Sequence, residues 1–313
     1  MKKKLSIFLL ASTMFGIELV NAQGYRHDSL VVEIHATVVG AESGYRYIYD
    51  IANHSSSQQR MAKIYVEAGD IGTEWDGTID TIYTRTNKNW ATSTKRILAP
   101  PLNQSNRGVI GWFEADTISS LDELYSPNPN LVWQGESIHV GFRSRGLPGI
   151  KRFWAEGWTP PLTTSGYDSL RALGYPDSVI LKPWYQDAFI GKTISPVIQP
   201  IPFNGFNFLD TLLSYTRQSA ALGWLGRNRD DDCDDDERPD DGVVRNIENR
   251  LQKARRELVR GDSVKARREL LKLVRKLDRL QRRDERVMTS EAYALLKYNA
   301  EYLIERLPER RRR

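Results

Sequence analysis

The hydrophobic repeat of the chain changes once, from every second residue near the start to every third or fourth residue in the last quarter. Within residues 33–38 and 45–51, apolar or aromatic side chains alternate with others, which is typical of strands that bury one face. Within residues 247–258 and 270–280, apolar side chains recur at steps of three and four, which indicates one face of a helix. The chain therefore combines a β region with a separate α region.

Additional strand candidates are separated by Gly, Pro and Asn residues, and no long helices lie between them. They lie at residues 61–67, 78–86, 108–115, 137–143 and 152–158. This spacing predicts an antiparallel β-sandwich of the immunoglobulin-like or jelly-roll type. Three amphipathic segments with short connections after residue 243 predict a small three-helix bundle. The predicted fold class is thus β + α, with more than one domain.

The predicted organisation follows these changes in composition. It consists of a signal peptide at 1–22, a β-sandwich at 23–158, a proline-rich connector with a docked helix at 159–226, an acidic linker at 227–242, a three-helix bundle at 243–309 and a basic tail at 310–313. In the connector, Asn207 is the predicted N-cap of a helix over residues 208–222, which we expect to dock on the sandwich.

The first residues have the pattern of a secretory signal. Three lysines at positions 2–4 precede an apolar run over residues 5–20, and the small residue Ala22 follows. A membrane anchor is the alternative, but Gly16 and Glu18 interrupt the run. No later stretch is apolar enough to span a bilayer. We therefore expect cleavage after Ala22 and a secreted, periplasmic or cell-surface protein without a transmembrane segment.

Charge is distributed unevenly along the chain. Residues 227–242 hold 9 acidic and 3 basic side chains, for a net −6, whereas residues 243–313 hold 22 basic and 11 acidic side chains, for a net +11. The acidic segment is a solvated spacer, a weak calcium site or a partner that folds back on the basic bundle. The calcium candidates are Asp230, Asp232, Asp234 and Asp236.

The basic bundle is the strongest candidate for binding. Its paired cations predict contact with a polyanion, and secretion favours an envelope or matrix polysaccharide over nucleic acid. The candidate residues are Arg267, Arg268, Arg275, Lys276, Arg282 and Arg283. Interleaved acids leave a solvated, internally paired helix surface as the alternative.

Other chemistry has little support in the sequence. The four histidines lack metal-ligand spacing, and no nucleophile elbow or phosphate-binding loop is present. Trp75 and Trp90 flank a predicted hairpin and are candidate carbohydrate contacts, with core packing as the alternative. We expect no cofactor and no catalysis, although a glycosidase with paired carboxylates stays open as a minor alternative.

Two stretches carry resemblances to known families. The run LQKARRELVRGDSVKARRELL at residues 251–271, continued by SEAYALLKYNAEYLIERL at 290–307, resembles the helical FIMAH-like module of secreted bacterial proteins, including polysaccharide-active enzymes. The segments 45–53 and 135–149 are similar to strands in the β-sandwich of secreted bacterial proteins that have no assigned catalysis. These resemblances imply an extracellular two-part protein.

The sequence as a whole favours a secreted, non-catalytic binding, adhesion or envelope-attachment protein. In this interpretation, the basic helical module contacts a polyanion. A purely structural envelope protein and a carbohydrate-active enzyme are the alternatives.

Overall fold

A computed structural model describes most of the predicted strands and all three predicted C-terminal helices. The described residues are 30–68, 79–85, 90–93, 109–114, 130–157, 189–199, 201–226, 241–283 and 287–308. The predicted signal peptide, the four calcium candidates, Trp75 and the basic tail lie outside these ranges.

Within the described ranges, nine strands form two antiparallel sheets. In spatial order, the first sheet contains β1 (Val32–Ala41), β2 (Gly44–Asn53), β7 (Ser137–Ser144) and β4 (Ile79–Arg85). The second contains β5 (Trp90–Ser93), β6 (Val109–Glu114), β3 (Met61–Glu67), β8 (Leu147–Gly157) and β9 (Phe189–Val197). The predicted β-sandwich is confirmed.

Aromatic side chains from both sheets fill the core. The alternation of β2 turns Tyr47, Tyr49 and Ile51 inward, where each is fully buried. Trp112 of β6 faces them, with ring centroids 6.0 Å from Tyr49 and 6.2 Å from Phe142. The Tyr49 hydroxyl donates to the Ile194 carbonyl oxygen at 2.8 Å, so this buried polar group is satisfied.

The sandwich continues beyond the boundary predicted at residue 158. Phe189–Val197 lies within the predicted connector, yet it pairs along its length with β8 as the edge strand β9. The predicted boundary is wrong, because prolines break most regular structure but are compatible with an edge strand. Pro196 is tolerated because an edge strand does not need every N–H for the ladder. β8 also starts earlier than predicted, at Leu147, and the short strand β5 was missed.

The described residues after the sandwich form four helices, which are the connector helix and the three helices predicted for the bundle. They are α1 (Gly205–Ala221), α2 (Asp241–Val259), α3 (Ser263–Arg283) and α4 (Ser290–Arg306). Gly261 ends α2 with a φ of 73°, a left-handed conformation that favours glycine. The Asp262 side chain then accepts the backbone N–H of Lys265 and caps α3. None of the described helices is long and apolar enough to cross a membrane.

Helix α1 departs from its predicted position and cap. Its N-cap is Asn204, whose side-chain oxygen accepts the N–H groups of Phe206 and Asn207 at 2.9 and 3.2 Å. The helix packs mainly against α2 and α4, and its Tyr215 also packs against the sandwich core. Leu209 and Leu212 are fully buried in the core of the helices. Helix α1, which lies in the predicted connector, is thus part of the helical core.

The sandwich and the helices form a joined body, because α4 covers the outer edge of β1. The Glu291 carboxylate accepts the Ala36 N–H at 2.7 Å, and the Ser290 hydroxyl donates to the Ala36 carbonyl at 3.0 Å. Tyr298 donates to the Val38 carbonyl at 3.2 Å. Its hydroxyl oxygen also accepts the Gly40 N–H at 3.1 Å. These side chains replace the strand that the β1 edge lacks.

Apolar packing reinforces this junction. Ala294 and Leu295 of α4 belong to the sandwich core, whereas Leu147 of β8 belongs to the core of the helices. Between them, the buried Asn299 donates to the Pro148 carbonyl at 2.8 Å. The predicted β and α regions therefore share buried surface.

We predict that Glu291→Ala lowers the free energy of unfolding by about 1–3 kcal/mol, because it leaves a buried N–H without its charged acceptor. Glu305→Ala, an exposed change on the same helix, is expected to stay within about 0.5 kcal/mol of the parent protein. Urea unfolding followed by circular dichroism and tryptophan fluorescence checks both values. Helical signal lost at lower urea than fluorescence would show that the two parts unfold separately.

Candidate polyanion-binding surface

Helix α3 presents a basic face to solvent. Its apolar residues at three- and four-residue spacing bury one side against α2 and α4, which turns the intervening residues outward. Leu271 is the one exposed α3 residue that carries no positive charge. The other exposed residues are Lys265, Arg268, Lys272, Arg275, Arg279, Arg282 and Arg283.

The carboxylates near this face are held by other side chains. Glu257 is buried and accepts from Arg260 at 3.2 Å, and Glu248 pairs with Arg217 of α1 at 2.7 Å. Asp278 accepts the Tyr293 hydroxyl at 2.8 Å and lies 3.0 Å from Lys297 Nζ. These acids stabilise contacts within and between helices. Of the exposed cations, Lys265 pairs with Asp262 at 2.9 Å and Lys272 with Glu269 at 2.8 Å. The exposed arginines of α3 have no acidic partner within 4 Å among the described residues.

Glu269 is the electrostatic centre of the α2–α3 seam. Its carboxylate lies 2.8 Å from Lys272 Nζ, 3.4 Å from Lys253 Nζ and 3.8 Å from an Arg250 nitrogen. The Lys272 hydrogen bond and the nearby Lys253 lower the pKa of Glu269. One buried carboxylate thus holds cations from two helices together.

Further along the seam the cations lack such a carboxylate. Lys276 is partly buried and forms no ion pair within 4 Å with any of the described residues. Burial lowers its pKa, and the positive charges of Arg250 and Arg279 lower it further. An anion bound here would relieve that repulsion.

The structure separates the six cations predicted as one binding set. Arg268, Arg275, Arg282 and Arg283 are on the exposed face, whereas Lys276 is half-buried at the seam. Arg267 turns towards α4, where its Nε donates to the Ile304 carbonyl at 3.2 Å. Adjacent residues on a helix point about 100° apart, so sequence doublets do not share a face.

The sequence reasoning missed two members of the face. Lys272 and Arg279 join Arg268, Arg275 and Arg282 at steps of four and three residues. The helical repeat that identified the apolar side contained this signal too. Doublets of adjacent Arg and Lys residues mask this repeat in the sequence.

The structure corrects the exposure predicted for Trp90. Its side chain is only 6% exposed, and its indole N–H donates to the Asn130 carbonyl at 2.7 Å. The ring is held by packing and a hydrogen bond, as in the alternative interpretation, and is not an open platform for a sugar.

In the described ranges, the histidines lie near single carboxylates and not in a cluster of several catalytic side chains. His35, His54 and His139 each approach one carboxylate, at 3.9, 3.8 and 3.5 Å. Among the described residues, no group of three His, Cys, Asp or Glu side chains could hold a metal ion.

We predict that Glu269→Gln lowers the free energy of unfolding at pH 7 by about 1–3 kcal/mol, because three cations lose their shared carboxylate. A lowered folded-state pKa means that Glu269 stabilises the fold above its unfolded pKa of about 4.3. This contribution disappears as pH falls through the folded pKa. The difference in unfolding free energy between Glu269→Gln and the parent protein should therefore shrink below about pH 4.

Urea unfolding at several pH values measures this difference. Glu248→Gln provides the matched control, since Glu248 has one exposed partner and its loss is expected to cost less than about 1 kcal/mol. A Glu269→Gln effect that stayed constant down to pH 3 would contradict the role assigned to the ionised carboxylate.

Comparison with known proteins agrees with this arrangement of helices. Residues 231–305 match the FIMAH domain family, a range that contains α2, α3 and all but the last residue of α4. No curated protein matches the chain. The match supports a cell-surface-associated module in this part of the protein. The predicted resemblance is confirmed, because the C-terminal helical module matches the FIMAH domain family.

Proposed function

We propose that the protein is a secreted, non-catalytic attachment protein that binds a polyanionic polymer of the cell envelope or matrix. The outer face of α3 is the contact surface in this proposal. The observation that carries it is the segregation of charge, because the acids of α3 are held by contacts within the helical module while most of its cations face solvent.

The geometry of the face favours an extended ligand. Arg268 and Arg282 are fourteen positions apart on one helix, which corresponds to about 21 Å at the helical rise. The intervening cations Lys272, Arg275 and Arg279 recur within this length. A linear polymer with regularly placed anionic groups would meet several of them at once, so weak individual contacts would add up.

The surrounding structure keeps the face in position. Helix α3 packs against α2 and α4, and α4 is hydrogen-bonded to β1. The polymer would therefore bind a face held by the folded body. A rigid surface loses less conformational entropy on binding than a flexible basic tail does.

The aromatic residues of the module favour a polysaccharide over single-stranded nucleic acid. Tyr293 bonds to Asp278, Tyr298 bonds to β1, and the Tyr302 ring lies under the Arg306 guanidinium at 3.4 Å. All three are on α4, and α3 itself contains no aromatic residue. Base stacking would need open aromatic faces beside the cations.

We predict that the triple variant Arg275→Gln, Arg279→Gln and Arg282→Gln weakens binding to a carboxylated or sulfated polysaccharide on the order of tenfold at low salt. Co-sedimentation of the full chain with polygalacturonate and dextran sulfate measures the affinity, with uncharged dextran as the ligand control. Raising the salt concentration should weaken polymer binding by the parent protein more than binding by the variant, because the variant releases fewer counterions when it binds.

A variant with the same change in charge provides the control. Arg145→Gln, Arg152→Gln and Lys192→Gln alter exposed cations of the sandwich and should leave binding near the parent value. Equal losses in both triple variants would mean that net charge, not the α3 face, governs binding. No saturable binding by the parent protein would favour the structural envelope function instead.

A further inference from the structure

A second positively charged feature lies on the sandwich, where the β1–β2 hairpin meets the end of β7. An open depression of about 350 Å³ forms there. It is lined by the hairpin residues 39–46 together with Arg143 and Ser144. Gly44 fixes the hairpin against β7, because its φ is 141° and a Cβ at this position would lie 2.5 Å from the Ser144 carbonyl oxygen.

The strand register places two arginines directly opposite each other in this depression. Arg46 of β2 pairs with Arg143 of β7, and both side chains are exposed. The backbone N–H and C=O groups at the outer edge of β1 come from Ala36, Val38 and Gly40. Backbone groups alternate in direction along a strand, so those of Val39 point towards β2 and its partner Arg46. The next pair, Arg46 with Arg143, is then of the non-hydrogen-bonded kind, in which side chains are closest.

A like-charged pair at such a position is unfavourable unless something neutralises it. Along the same face, the equivalent pair Asp50 and His139 is complementary, with 3.5 Å between the carboxylate and the ring nitrogen. Arg46 and Arg143, by contrast, have no acidic partner within 4 Å among the described residues. Glu42, the acidic residue of the lining, pairs with neither.

We propose that Arg46 and Arg143 form a binding site for the carboxylate of a small acidic ligand, of the size of one uronic acid unit. Two guanidinium groups match the geometry of a carboxylate, which can accept hydrogen bonds on both oxygens. With Glu42, the lining carries two positive charges and one negative charge. This net charge suits a monoanion better than a phosphate dianion.

The site is independent of the α3 face. It lies on the sandwich and uses different residues, so the loss of either surface leaves the other testable. The chain also provides a close control, since Arg152 of β8 and Lys192 of β9 are a second exposed, like-charged cross-strand pair. These two residues are absent from the lining of the depression.

The experiment measures binding of D-glucuronate to the full chain by isothermal titration calorimetry. D-glucose, which has the same ring without the carboxylate, is the neutral comparison, and inorganic phosphate tests the charge of the ligand. We expect glucuronate to bind and glucose not to bind. Arg46→Gln and Arg143→Gln should each weaken glucuronate binding about tenfold or more, because a charge-assisted hydrogen bond is lost.

The same variants have a second readout that needs no ligand. Each should raise the melting temperature of the ligand-free protein by about 1–3 °C, because the repulsion between the guanidinium groups is removed. Arg152→Gln should leave glucuronate binding unchanged.

Three binding results would overturn the proposal. They are equal binding of glucose and glucuronate, glucuronate binding that survives both substitutions, and a preference for phosphate over glucuronate. A lower melting temperature in both ligand-free variants would also contradict it, since the pair would then stabilise the fold.

Discussion

An antiparallel sheet edge exposes a row of N–H and C=O groups that need partners, and in this protein α4 supplies them to β1. Side chains of Ser290, Glu291 and Tyr298 meet the edge at Ala36, Val38 and Gly40, the alternate positions whose backbone groups point outward. A helix can protect an edge in this way only if its side chains match the two-residue repeat of the strand. The register between α4 and β1 is therefore fixed, and the positions of α2 and α3 depend on it through their packing on α4.

The local repeats in the sequence predicted the elements well where one face of an element is buried. The alternation around Tyr47 and Tyr49 and the apolar spacing of residues 247–280 both reappear in the structure. The strand β9 was hidden because its prolines suggest a loop until its position at a sheet edge is known. The exposure of Trp90 likewise depended on a distant acceptor, the carbonyl of Asn130, that no local pattern reveals.

The candidate surface was predicted only in part, for a similar reason. A net charge of +11 over residues 243–313 located the basic module but did not show which cations share a face. Glu269 and Asp278 read as acids interleaved among cations, and only the packing of three helices shows that they point into the module. The contact between Glu291 and Ala36 spans 255 residues, so the joining of sandwich and helices had no local signal at all.

The folded body makes it possible for like charges to remain close together. Repulsion among Arg275, Arg279 and Arg282 opposes the compact state, but the buried leucines of α3 and the ion pairs at the seams offset it. Arg46 and Arg143 are held opposite each other by the pairing of β2 with β7, which is itself fixed by the aromatic core. In both places the backbone geometry is determined by buried contacts elsewhere, so the repulsion is retained, and in both proposals a bound anion relieves it.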